Sequence, residues 1–345
     1  MVKNEQVIFV KYPTAYPVVG EHLQLKESSI DLESVLSEGD VILKNLAFSI
    51  DPYLRLRMID PSTGLTYFNA YPLNQPLVGN AISKVLRSSN PKFKAGDIVY
   101  GTGAFEEYSH INADSAEQWE VRNYIKERTL PFTNYLGVLG LPGLTAYVGL
   151  LKFGEPKKGE TLFVSAAAGA VGQLVGQLGK ILGLRVVGSA GSDEKIAYLK
   201  EIGFDAAFNY KTESVDEALT KHCPNGVDIY YDNVGGKMLE HVLKHASYNG
   251  RIVVCGAITS YNGEEPEGIR NTELILYKKL KVQAFNVWDH WDLGEFTQRV
   301  TAWLIEGKIK YREVIVEGLG QTGQALLDVL KGQSQGKQIV KIADL

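Results

Sequence analysis

The 345-residue chain reads as an α/β protein with a doubly wound parallel sheet in one domain and a second, β-rich domain. Three features predict this. Between about 131 and 304, short apolar runs of strand length alternate with helical patterns, the signature of a parallel sheet covered on both faces. Up to about 130, short apolar segments alternate with turn signals, and no long helical period stands out. After about 305, mixed β character returns. The parallel domain (131–304) is therefore expected as a late insertion, with 1–130 and 305–345 forming the other domain together.

Taken in order, residues 41–46 and 98–100 are strand candidates. They lie near the turn signals Glu38-Gly39-Asp40 and Ala95-Gly96-Asp97. The uncharged run 135–151 invites a membrane reading, but four glycines and Pro142 interrupt it and it falls just short of a spanning helix, so a buried segment is expected. Residues 161–166 form an apolar strand. The stretch 171–182 places Val171, Leu174, Val175, Leu178 and Ile181 or Leu182 on one helical face. A strand at 185–189 follows, then a helix at 193–202 closed by Gly203. Strands are expected at 206–209, 227–232, 251–255 and 281–285. Helices are expected near 214–222, 237–245 and 322–330.

The bulk composition sets limits on function. Apolar residues make up 45% and charged residues 22%, as in an ordinary globular protein. The net charge is −4, and no basic block marks a nucleic-acid surface. The first residues lack the apolar stretch of a signal peptide. Two cysteines, Cys223 and Cys255, exclude a disulfide framework and suit a reducing compartment such as the cytoplasm.

The most informative motif is Ala166-Ala167-Ala168-Gly169-Ala170-Val171-Gly172, between the first expected strand of the parallel domain and its helix. It is a degenerate form of the Rossmann dinucleotide fingerprint, A-x-x-G-x-x-G, with alanine at the first glycine. Gly169 lets backbone amides approach a pyrophosphate, and Gly172 lets the helix pack closely on the strand. The positive end of the helix then faces the phosphates. The strand–turn–helix setting is what the fingerprint requires.

The dinucleotide is read at the end of the next strand. NAD enzymes carry a carboxylate there for the ribose 2′-hydroxyl. Here the strand runs out as Val187-Gly188-Ser189-Ala190-Gly191, with no acid. Ser192 suits an N-cap, with Asp193 and Glu194 in the first turn. Lys195 stands where a capping box would place Glu or Gln, and its charge opposes the helix dipole. A 2′-phosphate beside it accounts for the choice and favours NADP(H).

No zinc pattern appears. The cysteines lack C-x-x-C spacing, and the histidines at 22, 110, 222, 241, 245 and 290 do not cluster. His241 and His245 are four apart with no acid between them, as expected of ordinary helix-surface histidines. Without a metal, a reductase polarises its substrate with hydroxyls or amides. Two tyrosines stand out by position: Tyr53, in Ser49-Ile50-Asp51-Pro52-Tyr53-Leu54-Arg55, and Tyr261, just past the strand ending at Cys255.

The sequence also resembles a known family along nearly its whole length. The matching runs are Asp51-Pro52-Tyr53-Leu54-Arg55, the stretch from Gly140 to Tyr147, the 166–172 turn and Gly191-Ser192-Asp193-Glu194-Lys195. They continue with Phe208-Asn209-Tyr210-Lys211, Asp232-Asn233-Val234-Gly235-Gly236, Cys255-Gly256-Ala257-Ile258 and Gly336-Lys337. Together they resemble the zinc-independent medium-chain dehydrogenase/reductases of the alkenal double-bond reductase and prostaglandin reductase group. The resemblance implies a GroES-like domain beside the Rossmann domain, a cytosolic homodimer, and NADPH-dependent reduction of the C=C bond of α,β-unsaturated aldehydes and ketones. By position it assigns Gly169, Ala170, Val171 and Gly172 to the pyrophosphate, Lys195 and Tyr210 to the 2′-phosphate, and Asn233 to the cofactor. It assigns the segment from Cys255 and Gly256 to Tyr261, with Phe285 and Val287, to the nicotinamide side. Tyr53 and Tyr261 face substrate. Ser334 stands where the family usually has asparagine, with a shorter reach. Substrate range does not carry over, because the loop around 61–75 departs from the pattern.

The expected chemistry is hydride delivery from NADPH to the β-carbon of an enal or enone, with charge building on the carbonyl oxygen as an enolate; a proton from solvent or Tyr261 then reaches the α-carbon. Tyr261 is the candidate donor to that oxygen, and Tyr53 shapes the pocket. Reduction of a carbonyl or quinone on the same scaffold, and NADPH binding without turnover, stay open as alternatives.

Overall fold

The computed structural model describes residues 1–63, 68–127, 130–262 and 268–345, with Glu127 described by its backbone alone. Residues 64–67, within the substrate loop of the sequence reading, lie outside the described residues.

The chain divides into two compact units. One comprises 1–136, 313–334 and 338–345; the other comprises 137–312 and 335–337. The first is the β-rich, GroES-like unit. Val41–Ile50 and Val78–Ser88 pair antiparallel at the centre of a seven-stranded sheet, which Ile98–Ala104, Tyr108–Ile111, Glu120–Val121, Glu313–Glu317 and Lys337–Lys341 complete. A three-stranded sheet joins Val2–Phe9 to Leu23–Ile30 and Gln75–Pro76. Phe9, Phe48, Tyr71, Phe105 and Trp119 are fully buried in its core.

The second unit holds the parallel sheet. Its six strands lie in the order Ala206–Asn209, Arg185–Ala190, Thr161–Val164, Val227–Asp232, Ala246–Val254 and Lys281–Ala284, and every paired neighbour is parallel. This is the Rossmann order. The strand order reverses between Thr161–Val164 and Val227–Asp232, and beyond the carboxyl ends at such a switch point doubly wound folds bind their ligands. Helices Gly172–Ile181, Asp193–Glu201, Val215–His222 and Gly236–His245 connect the strands. Each buries one apolar stripe, such as Leu174, Val175 and Leu178 of the first.

Close helix–sheet approach depends on small residues. A Cβ at Gly176 would lie 1.9 Å from Phe204 Cζ, so only glycine lets that ring pack against the helix. The uncharged run 135–151 becomes the helix Leu141–Val148 followed by a π-type turn, Gly149–Phe153. Much of it is buried, and no helix among the described residues is long and apolar enough to cross a membrane.

Several element boundaries differ from expectation, and two of them show why. The strand expected to run to 166 ends at Val164, because Ala166 adopts φ +48° and turns the chain toward the helix. The strand expected at 251–255 begins at Ala246, directly after the helix. Its first half, Ala246-Ser247-Tyr248-Asn249, has no apolar run, and the pairing with Val227–Asp232 shifts register there, so periodicity gives no sign of it.

Candidate cofactor and active site

The glycine-rich turn crosses the carboxyl end of Thr161–Val164. Ala167 N donates to Ser189 O at 2.9 Å, and Gly169 N to Ala166 O at 3.0 Å. A Cβ on Gly172 would lie 2.7 Å from both Ala166 O and Ala167 Cα, so the helix begins in direct contact with the turn backbone. A Cβ on Gly169 would meet only Ala166 O, at 3.2 Å, which leaves the turn's outer surface open. The helix has no side-chain cap, since its N-cap is Val171. The amides of Ala170, Val171 and Gly172 find no acceptor among the described residues. Three free donors at a helix N-terminus make an anion-binding position.

One strand over, Arg185–Ala190 ends without an acid, and Gly191 follows. Ser192 caps the helix Asp193–Glu201 by accepting from Lys195 N at 3.4 Å, as its position in the sequence suggests. Gly191 sits beneath Tyr210 and Lys211: a Cβ there would lie 3.0 Å from Tyr210 Oη and 3.1 Å from Lys211 Cε. Lys195 is half-buried. Burial, and then the charge of Lys211, hold its pKa below the ordinary lysine value. Two cations thus share a small space, which an anion between them would relieve.

The acids beside them are held by amide side chains. Asn209 Nδ2 donates to Asp193 Oδ1 at 2.8 Å, and Gln335 Nε2 donates to Glu194 Oε2 at 2.7 Å. Gln335 Oε1 accepts from Arg312 Nη1 at 3.1 Å. Lys211, Asn209 and Gln335 were not singled out from the sequence. Lys211 had a readable signal, a second lysine beside Tyr210; the other two had none.

The loops beyond Val227–Asp232 and Ala246–Val254 lie next to one another. Asn233 turns inward, donating through Nδ2 to Ser165 O at 2.8 Å and through its amide to Ser165 Oγ at 3.0 Å. The short 3₁₀ turn Ile258–Ser260 brings Tyr261 back over its own loop, where Tyr261 Oη accepts from Ala257 N at 3.2 Å. A phenol oxygen that accepts from an amide is still able to donate through its own O–H. Tyr261 Oη also lies 3.0 Å from where a Gly256 Cβ would stand, so the loop closes around the ring only because residue 256 is glycine. Phe285 stacks on Phe153 with centroids 5.0 Å apart, and Val287 is buried at the start of the turn Val287–His290.

Neither thiol is a nucleophile at neutral pH, because burial pushes both Cys223 and Cys255 up to about 12. Among the described residues, no three His, Cys, Asp or Glu side chains group to hold a metal ion. His241 Nδ1 and His245 Nε2 both lie against Asp216 Oδ1, at 2.9 and 3.1 Å.

The remaining two candidates belong to the β-rich unit. Tyr53 begins the short helix Tyr53–Leu56 and packs on Phe68, with centroids 5.6 Å apart; burial raises its pKa well above the ordinary tyrosine value. Ser334 Oγ donates to Gln338 Oε1 at 3.1 Å.

Comparison with known proteins places this architecture. Residues 5–119 match the family model described as the N-terminal domain of oxidoreductase, and 170–304 match the one described as zinc-binding dehydrogenase. A 2-alkenal reductase (NADP(+)-dependent) of Nicotiana tabacum is 43% identical over 99% of this chain and 98% of its own length. The (+)-pulegone reductase of Mentha piperita is 42% identical over 99% of both chains. The structure of CurA from Vibrio vulnificus in complex with NADPH superposes with a TM-score of 0.89 and 35% identity, covering 99% of this chain and 100% of that one. The chain therefore belongs to the medium-chain dehydrogenase/reductase family, in the group of the NADP-dependent alkenal and prostaglandin reductases.

Proposed function

We propose that this protein is an NADPH-dependent reductase of the C=C bond of α,β-unsaturated aldehydes and ketones. The observation that carries the cofactor assignment is the placement of Lys195, Tyr210 and Lys211 around Gly191, at a strand end without a carboxylate. That donor set fits a 2′-phosphate and lacks the carboxylate that pairs with a 2′-hydroxyl in NAD enzymes. The free amides of Ala170, Val171 and Gly172 suit the pyrophosphate. The NADP-dependent relatives and the NADPH complex of CurA support the same reading.

When bound, NADPH supplies the hydride for the β-carbon of the substrate. Asn233 and residues 255–261, with Phe285 and Val287, form the wall on the nicotinamide side. Tyr261 donates its phenolic O–H to the substrate carbonyl oxygen as charge develops there. Its oxygen accepts from the Ala257 amide, which ties the ring to its own loop. Tyr53 contributes an apolar, un-ionised ring to the substrate side. Ser334, engaged with Gln338, has a supporting part at most in holding the cofactor.

The protein acts on small molecules in the cytoplasm as a homodimer. Support for a second copy comes from Lys281–Ala284, which ends the parallel sheet with one edge open and Val282 41% exposed. Light scattering tests that assignment.

The deciding experiment follows NADPH oxidation against alkenals, enones and quinones, with product identification. A saturated carbonyl product supports the proposal. An allylic alcohol or hydroquinone assigns carbonyl or quinone reduction instead, and NADPH binding without turnover on any substrate refutes an enzymatic role.

A further inference from the structure

We infer that Thr259, together with the buried Asp232, is a positioning device for Tyr261; this rests on the role proposed above for that tyrosine. Asp232 ends the strand Val227–Asp232 and is completely inaccessible to solvent. Its Oδ1 accepts from three donors: Tyr230 Oη at 2.7 Å, Val234 N at 2.9 Å and Gly235 N at 2.8 Å. Its Oδ2 finds no hydrogen-bond partner among the described residues. A buried acid half of which goes unbonded is a costly choice for closing a turn. In return it fixes the 233–235 turn by short bonds from two consecutive amides.

That turn carries the neighbouring loop. Val234 O accepts from Thr259 Oγ1 at 2.8 Å and from Thr259 N at 3.4 Å. Asn233 O accepts from Ile258 N at 3.4 Å, and the Asp232 carbonyl accepts from Cys255 N at 2.9 Å and Gly256 N at 3.0 Å. Gly235 takes φ +72°, a conformation that favours glycine, and a Cβ there would crowd Ala257 Cβ at 3.0 Å. The loop that presents Tyr261 is therefore built onto the Asp232 turn, and the Thr259 hydroxyl makes the shortest of the bonds between loop and turn. The 2.9 and 3.0 Å bonds hold the loop at Cys255 and Gly256, whereas at Ile258 and Thr259, next to Tyr261, the backbone bonds to the Asp232 turn are 3.4 Å long and weak. Losing the hydroxyl lets the turn shift, and a shift of about 1 Å is enough to misplace a catalytic donor.

The test uses Thr259→Val and Thr259→Ser in the full-length protein. Thr259 is exposed and valine is isosteric, so folding is preserved, which a thermal melt verifies. In Thr259→Val, kcat with an enal is expected to fall at least fivefold while KM changes less than twofold and NADPH affinity less than threefold. Thr259→Ser restores kcat to within twofold. A second readout needs no turnover: fluorotyrosine labelling, with the Tyr261 resonance assigned by its loss in Tyr261→Phe. That resonance is expected to shift or broaden in Thr259→Val and to return in Thr259→Ser. An unmoved Tyr261 resonance in Thr259→Val overturns the inference, as does an equal loss of kcat in both variants. If the wild type reduces no enal, the reaction assignment falls while the resonance still decides the positioning role.

Discussion

Replacing Lys195 with alanine is expected to separate NADPH from NADH. Lys195 is half-buried at the third position of the helix Asp193–Glu201, and the neighbouring acids are held by Asn209 and Gln335. An ion pair at about 4 Å in an effective dielectric of about 20 has a gross energy of about 4 kcal/mol. The net value of a hydrogen bond to a charged group is about 1.5–3 kcal/mol after desolvation. That range corresponds to a loss of about 10- to 150-fold in NADPH affinity. NADH, which has no 2′-phosphate, is expected to change less than twofold. Lys211→Ala should lose less, because Lys211 is exposed. The double variant should lose less than the sum, since removing one cation relieves repulsion on the other. The assay is cofactor fluorescence titration at two salt concentrations. The same site predicts a pH dependence. Burial and Lys211 hold the Lys195 pKa below its usual value, so its charge is lost at lower pH than an ordinary lysine's. NADPH affinity is therefore expected to fall on the alkaline side before pH 10.5 is reached, while NADH affinity stays level. Equal losses of NADH and NADPH in Lys195→Ala would refute the phosphate assignment.

Four other outcomes follow from the geometry. Gly172→Ala puts a methyl 2.7 Å from turn backbone; overpacking of this kind costs about 1–3 kcal/mol, read in urea denaturation, and cofactor affinity should drop with it. Ala166→Gly relieves a left-handed alanine at φ +48°, a conformation worth about 1–2 kcal/mol, partly offset by glycine's greater freedom when unfolded; a loss of stability would contradict this. Asp216, bonded by His241, His245 and Lys244, has its carboxyl lowered to about 2, so its contribution is present above the unfolded value near 4 and disappears as pH falls toward 2. With the side chain 39% exposed, that contribution is about 1 kcal/mol or less, and Asp216→Asn should flatten the acid limb of the stability curve by that amount. Gln335→Ala frees the Glu194 carboxylate near the cation pair and should weaken NADPH severalfold with NADH unchanged, measured by the same titration.

Much of the parallel unit was legible because its signals are local. The strands at 206–209 and 227–232 appear where apolar periodicity places them, as does the helix at 322–330 in the β-rich unit. The helix Asp193–Glu201 begins at the Ser192 cap. The errors arise where tertiary packing overrides pattern. Ala166 looks like one more residue of an apolar strand, yet the turn requires positive φ there, and alanine carries no sequence mark of that demand. Gly149 has a similar history: a Cβ would stand 2.4 Å from Tyr231 Oη, so the π-type turn follows from a contact 82 residues away in the chain.

The site was legible to a different degree in each part. The glycine-rich turn and the place of Lys195 in the first turn of its helix could be read because their logic lies within one strand, one turn and one helix. The rest of the phosphate end could not. Lys211 reaches Gly191 because Ala206–Asn209 lies beside Arg185–Ala190 in the sheet, and Gln335 reaches Glu194 across 141 residues of sequence. Asp193 and Glu194 show why this matters. Read in sequence, two acids beside Lys195 argue against an anion. In the fold, Asn209 and Gln335 each bond one of those carboxylates, and Lys195 feels the opposing charge of Lys211 as well as the favourable charge of Glu194. On the proposed assignment, preference for a phosphorylated ribose would draw on cations supplied by two neighbouring strand ends and on amide side chains that bond the acids beside them. Only the first of these leaves a trace near the glycine-rich turn.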